Sequence, residues 1–296
     1  MAARAIALQV PAIATGAVPR RAAALSPRPM SRQLRRTAQA WLEEGRPAVV
    51  VVVLEARGSV PRKPGTRMLV SGGQTFGTIG GGALELEALR EAHALLSSGV
   101  APHQVHYPLG PALRQHCGGE VTLGYMRLDA QQLIAWRPPE PLFQLQMYGA
   151  GHVGTAVARL LSTLDCEVHW IDEREEMFPF ALFEGAAWPE HLHVVASECV
   201  EDEVARAAPG THHLVLTHSH ELDLRIAERI LVRGDFGYLG LIGSAAKRAR
   251  FVRHFEEAGI DRRHIGRLVC PIGIEGIEGK EPEQIAVGVV AQLLRR

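Results

Sequence analysis

The polarity pattern divides the chain into a leader and two differently organised halves. From Ser31 to Glu44 apolar residues recur at helical spacing and Gly45 ends the run, which predicts a helix. "PAVVVVVLEA" (47–56) is an unbroken valine-rich stretch, too short for a buried helix and suited to a strand covered on both faces. "RGSVPRKPGTRM" (57–68), rich in glycine, proline and basic residues, reads as a loop. "RMLVS" and "TFGTI" flank "GGQ" and predict a hairpin. "GGGALELEALREAHALLSSG" opens on three glycines and keeps helical period to Gly99. Two further strands fall near 103–108 and 120–128, and "RPPEP" (137–141) is a proline-rich joint between domains.

Beyond the joint, short apolar runs at 144–148, 167–171, 192–195, 213–217, 238–242 and 267–270 alternate with helical patterns. A last helix covers 283–294, with Pro282 at its start, where a missing N–H has no partner to lose. This alternation predicts an α/β fold, a doubly wound parallel sheet with helices on both faces. The expected organisation is a disordered leader (1–30), an N-terminal α/β domain (31–137) and a doubly wound C-terminal domain (142–296).

Composition narrows the function classes. Lys+Arg and Asp+Glu stand at 32 each, so charge gives no basis for nucleic-acid or acidic-membrane binding. No apolar run is long enough to span a bilayer. Cys117, Cys166, Cys199 and Cys270 form no CxxC pair and read as reduced thiols of a cytoplasmic protein. The first 42 residues hold seven arginines and no acid, a composition that suits an organellar transit peptide; the preferred reading is a disordered leader, or a true start at Met30.

The clearest motif is "MYGAGHVGTAVARLL", which reads as strand, turn and helix. Gly149 makes the turn, Gly151 lets a ligand approach the backbone, and Gly154 lets the helix pack close to the strand. Asp172, at the end of the next strand, holds the place of a ribose-binding acid. The expected domain is therefore Rossmann-like. An NAD(P)-dependent oxidoreductase is one reading; His152 opposes it, because its ring stands where a pyrophosphate would lie. Arg174 is a candidate phosphate partner. In "THSHELD" (217–223), His218 and His220 followed by an acid are similar to a metal-hydrolase site, with Asp223 as a plain helix cap the alternative. Ser244 and Lys247 in "LIGSAAKR" are candidates for holding an anion at a helix start.

In the first half, Gly80, Gly81 and Gly82 precede a helix and form a candidate anion cradle, with Glu85 on the helix's first turn. "RQHCGGEV" sets Cys117 beside His116 and before Gly118 and Gly119, so its thiol is reachable and is a soft metal ligand.

Together, "GSVPRKPGTRM", "GTIGGGALE", "CGGEV", "MYGAGHVGTAVARLL", "IDER", "THSHELDLRIAERIL", "FGYLGLIGSAAKR" and "CPIGIEGIEGKEPEQIAVGVVAQLL" resemble, in order, the XdhC/CoxI accessory proteins of xanthine dehydrogenase and related molybdenum hydroxylases. The resemblance covers about residues 32–295. It implies a chaperone without established turnover. Such a protein binds molybdenum cofactor (molybdopterin), protects it during sulfuration and inserts it into apo xanthine dehydrogenase. A cysteine desulfurase as sulfur donor and a homodimer are the other implied partners. The implied cofactor-binding set adds Arg62 to the glycines and Cys117, with Cys117 the molybdenum contact. A nucleotide at the GAGHVG turn is a further expectation. Two positions depart from the pattern: His116 stands where relatives often carry cysteine, and Ala83 where many CoxI-branch relatives do. The implied contact is then a single thiolate.

Overall fold

The structure is a computed structural model that describes residues 31–98, 101–110, 118–136, 140–180 and 188–295. The predicted leader, His116 and Cys117 lie outside the described residues. The chain divides into two compact units, Leu34–Arg137 and Pro138–Arg296, the second also taking in Ser31–Gln33.

The first unit is built on a five-stranded sheet in the order β3-β2-β1-β5-β4. The strands are β1 (Val49–Arg57), β2 (Arg67–Ser71), β3 (Gln74–Gly77), β4 (His103–Pro108) and β5 (Glu120–Arg127). Every pairing is antiparallel. Among the described residues three helices accompany it: α1 (Arg32–Glu43), α2 (Gly82–Ser98) and α3 (Ala130–Ala135). The valine run is continuous because β1 is central and covered twice. Val49, Val51 and Val53 pack with Leu84, Ala88, Ala92 and Leu95 of α2. Val50 packs with Leu34, Ala38 and Trp41 of α1 and with Trp136. Each such aliphatic side chain, fully buried, contributes ~1.5–3 kcal/mol.

The second unit is a six-stranded parallel sheet in the order β11-β10-β9-β6-β7-β8. Its strands are β6 (Gln144–Tyr148), β7 (Glu167–Asp172), β8 (Leu192–Ala196), β9 (His212–Val215), β10 (Tyr238–Leu241) and β11 (Leu268–Val269). Its helices are α4 (His152–Leu161), α5 (His220–Arg233), α6 (Ala245–Glu257), α7 (Arg262–Ile265) and α8 (Pro282–Leu294). On one face Met147, Val168, Trp170 and Leu214 pack with Val157, Leu161, Val289 and Leu293 of α4 and α8. On the other, Tyr148, Ile171, Val215 and Leu241 meet Ile226, Ile230, Phe251 and Phe255 of α5 and α6. This is the doubly wound α/β architecture read from the alternation. Two connections depart from the expected helices: between β8 and β9 the chain forms only a 3-10 helix, Val200–Arg206, and between β7 and β8 the described residues form only the 3-10 helix Glu175–Met177. Strand order reverses between β6 and β9, so their carboxyl ends flank the crevice where such sheets take ligands.

Candidate functional site

Motif residues gather at one corner of the first unit and along the carboxyl ends of the second unit's sheet.

In the first unit, three loops picked out by sequence converge. The loop leaving β1 and the segment entering β5 cross at a bridge between Ser59 and Gly118. A β-carbon at Gly119 would lie 2.4 Å from Ser59 O and 2.6 Å from Arg57 O, so only glycine permits the crossing. The turn after β3 closes on the same loop, since a β-carbon at Gly80 would sit 2.5 Å from Pro61 Cγ and 3.8 Å from Arg62 Cγ. Gly118 is exposed, with nothing within 4 Å of its β-carbon position, and its neighbour in sequence is Cys117.

The triple-glycine turn is not an open anion cradle. Gly80, Gly81 and Gly82 have φ of 131°, 76° and 63°, as only glycine adopts readily. The donors they expose are taken by the chain itself. Glu85 Oε2 accepts from Gly81 N–H (3.1 Å), Ile79 N–H (3.3 Å) and the Thr78 hydroxyl (2.6 Å). A carboxylate thus fills the place where the sequence led us to expect a ligand phosphate. Glu85→Ala should therefore cost about 1.5–3 kcal/mol, because it orphans those donors; a melt of Glu85→Ala against Glu85→Gln checks it, with the glutamine variant falling between the two.

In the second unit, the glycine turn leaves β6 and runs straight into α4. A β-carbon at Gly149 would lie 2.3 Å from Leu216 O, and one at Gly154 2.2 Å from Gly149 O, so both glycines are demanded by close backbone approach. Gly151, the N-cap of α4, has open space around it, and His152 is exposed at the first helical position. Asp172 is buried and fully engaged. It accepts from Ala150 N–H (2.7 Å), Arg174 N–H (3.0 Å), Arg174 Nε (2.9 Å) and an Arg174 terminal nitrogen (3.0 Å). Burial pushes its pKa up, but the Arg174 and Ala150 hydrogen bonds outweigh burial and hold it below the usual carboxylate value. Asp172 and Arg174 therefore tie the glycine turn to β7, rather than standing free for a ribose and a phosphate. His218 pairs with Glu173 (3.5 Å), linking the ends of β9 and β7 on either side of β6.

The family profile described as "XdhC Rossmann domain" matches residues 145–293, and that described as "XdhC and CoxI family" matches residues 41–108. The chain belongs to the XdhC/CoxI family. Among curated relatives, the uncharacterised Escherichia coli protein YqeB is 27% identical over 86% of this chain. The match spans only 44% of YqeB, less than half its length. The E. coli molybdenum cofactor insertion chaperone PaoD is 23% identical, with 88% of this chain and 87% of PaoD covered. A crystal structure described as a xanthine dehydrogenase from Bacillus halodurans superposes with a TM-score of 0.70 at 19% identity, covering 90% of this chain and 95% of that one; it shows the fold.

The other expected site residues, His220, Ser244 and Lys247, lie at the starts of α5 and α6. His220 is exposed at the start of α5, its Nδ1 3.4 Å from Arg250. Ser244 caps α6 by accepting from Lys247 N–H (3.2 Å). Lys247, expected to hold an anion, turns inward and is buried. Its Nζ donates to Asp223 Oδ2 (2.5 Å) and Ile242 O (2.8 Å). Asp223, fully buried in α5, also accepts from Thr217 N–H (3.0 Å) and the Thr217 hydroxyl (2.7 Å). The aspartate is thus more than a helix cap: it binds β9, α5 and α6 into one polar knot. Among the described residues no group of three His, Cys, Asp or Glu is placed to hold a metal ion. Nor is any described helix long and apolar enough to cross a membrane. Local spacing gave no sign of the Asp223–Lys247 pair, because its members lie on different helices.

Proposed function

We propose that this XdhC/CoxI protein binds molybdenum cofactor as cargo at the corner of its first unit and inserts it into an apo-molybdoenzyme. The observation that carries the reading is the convergence of the 58–62, 79–82 and 118–119 segments on one corner, the last of them following Cys117 in sequence. Gly119 lets the two segments cross, Gly118 is exposed with open space at its β-carbon position, and the thiol that precedes Gly118 in sequence is a soft ligand for an oxo-molybdenum centre. PaoD, described as a molybdenum cofactor insertion chaperone, is similar over most of both chains and supports the same role. Protection of the cofactor during sulfuration, a cysteine desulfurase as donor, xanthine dehydrogenase as client and a homodimer are the finer parts of the proposal. The self-occupied turn at Glu85 shifts the expected phosphate contact to Arg62 and other exposed groups.

The test is direct. Equilibrate the purified chain with released cofactor, desalt, then assay molybdenum and oxidised pterin. About one of each per chain is expected, and Cys117→Ala should retain less with an unchanged circular-dichroism melt. Retention of neither at micromolar protein overturns the reading. The competing reading, a nicotinamide-dependent oxidoreductase, draws on the strand order and the glycine turn. Against it, Asp172 already accepts four hydrogen bonds from the chain. Saturable NADH oxidation with a carbonyl substrate would favour that competitor.

A further inference from the structure

A recess of about 360 Å³ on the first unit's sheet is lined by Glu55, Arg57, His106, Glu120 and Thr122. Its floor is a grid of cross-strand neighbours. Glu55 of β1 pairs with Thr122 of β5, which pairs with His106 of β4; in the next row Arg57 pairs with Glu120. Arg57 runs directly into Gly58, and Glu120 directly follows Gly119. The recess therefore opens beside the corner where the three loops converge.

A break in strand alternation creates this floor. In β1 the register slips between Val53 and Glu55, a β-bulge at Leu54. Without it, residue 55 would follow Val49, Val51 and Val53 onto the face under α2. With it, Ala56 takes the α2 face, and Glu55 and Arg57 turn to the other side. Bulges beside binding sites re-aim side chains in this way. On that other side α1 covers Val50 and Leu69, while the recess beyond them stays accessible.

The recess carries a distinct mix of hydrogen-bonding groups. Glu120 is already engaged by Arg57 (3.6 Å) and His106 (3.4 Å). The Glu55 carboxylate has no ion pair or hydrogen bond among the described residues. Among the described residues it is an unpaired, two-oxygen acceptor on a polar floor whose imidazole, hydroxyl and guanidinium groups, held by Glu120 and by a 3.5 Å contact between His106 and Thr122, can turn to a ligand. The complementary ligand edge presents two parallel N–H donors next to a carbonyl acceptor. A 2-amino-4-oxo-pteridine has that edge: its exocyclic amine and N3–H face a carboxylate side by side, and O4 accepts from a neighbouring donor.

We propose that Glu55 holds the 2-amino and N3–H groups of a pterin, with Thr122, His106 and Arg57 serving the adjacent acceptors. This rests on the cofactor-binding reading above and assigns the heterocycle end of the cargo to the recess, leaving the metal end to the corner beside it.

The probe is 6-hydroxymethylpterin, which lacks metal, dithiolene and phosphate, titrated by NMR into the full chain. Its counterpart is the 2,4-dioxo analogue, which has no exocyclic amine. Pterin should bind and shift amides of β1, β4 and β5. Glu55→Gln should weaken it about tenfold to a hundredfold while hardly changing the dioxo analogue. Glu55 is exposed, so this variant should keep the parent melting temperature. Equal affinity for the two pteridines, unchanged affinity in Glu55→Gln, or no pterin binding at millimolar concentration each overturns the assignment. The two readings separate cleanly. Retention of whole cofactor that is indifferent to Glu55→Gln sinks the recess and spares the chaperone. Pterin binding that depends on Glu55, without retention of whole cofactor, does the reverse.

Discussion

Lys247→Met is expected to destabilise the second unit by about 3–5 kcal/mol, because it strands a fully buried Asp223 without its cation. The methionine nearly matches the lysine stem, so lost packing contributes little. Adding Asp223→Asn should recover most of the loss. The asparagine oxygen still accepts from Thr217, and no buried charge remains to be compensated. Native-state hydrogen exchange on the β9 and β10 amides is the right measurement, since a chain of two compact units need not unfold in one step. A single-variant effect below about 1 kcal/mol would show that the pair is dispensable. A double variant no better than the single would show that the knot acts through geometry rather than charge.

Gly119→Ala should remove cargo binding. A methyl group there would press on Ser59 O and Arg57 O, both backbone atoms, so the β1 and β5 segments must part. Relief by a rotamer change is not available, and the strain should reach or exceed the usual ~1–3 kcal/mol of overpacking. Cofactor retention should fall to background, while exchange protection in the second unit stays at its parental level. Gly72→Ala, in the turn between β2 and β3, is the matched control: its β-carbon meets open space and only its φ of 51° resists substitution. If Gly119→Ala keeps its cargo, the crossing is not part of the binding corner.

Much of the architecture was legible because packing writes itself into local pattern. Five consecutive valines meant a strand covered on both sides, and β1 is that strand. The glycines of GAGHVG and the acid at Asp172 marked the first strand–turn–helix of the parallel sheet, which the structure places at its centre. The β2–β3 hairpin was legible from the turn between its strands; the pairing of β1 with β2 and β5, and of β4 with β5, was not, since hydrophobic runs say nothing about which distant strands lie side by side. Side-chain engagement was legible least of all. Lys247 reads as a surface base on a helix start, yet its partner comes from α5. Glu85 reads as a first-turn residue beside a candidate anion cradle, yet it reaches back and fills that turn itself. The Glu55 recess escaped notice because its members come from three strands and face one way only after a bulge that local spacing does not announce.

The bridge between Ser59 and Gly118 also bears on when the protein becomes competent. β1 has its near neighbour in sequence, β2, on one edge, and short loops favour that pairing first; its other edge needs β5, which is synthesised much later and lies between β1 and β4. Closing so long a loop is slow relative to hairpin formation. A nascent chain that stops before Gly118 has the hairpin and no corner. Capture of cargo is thereby deferred until the first unit is whole. A substitution that delays β5 docking would reduce the number of competent molecules while leaving each folded one as avid as before.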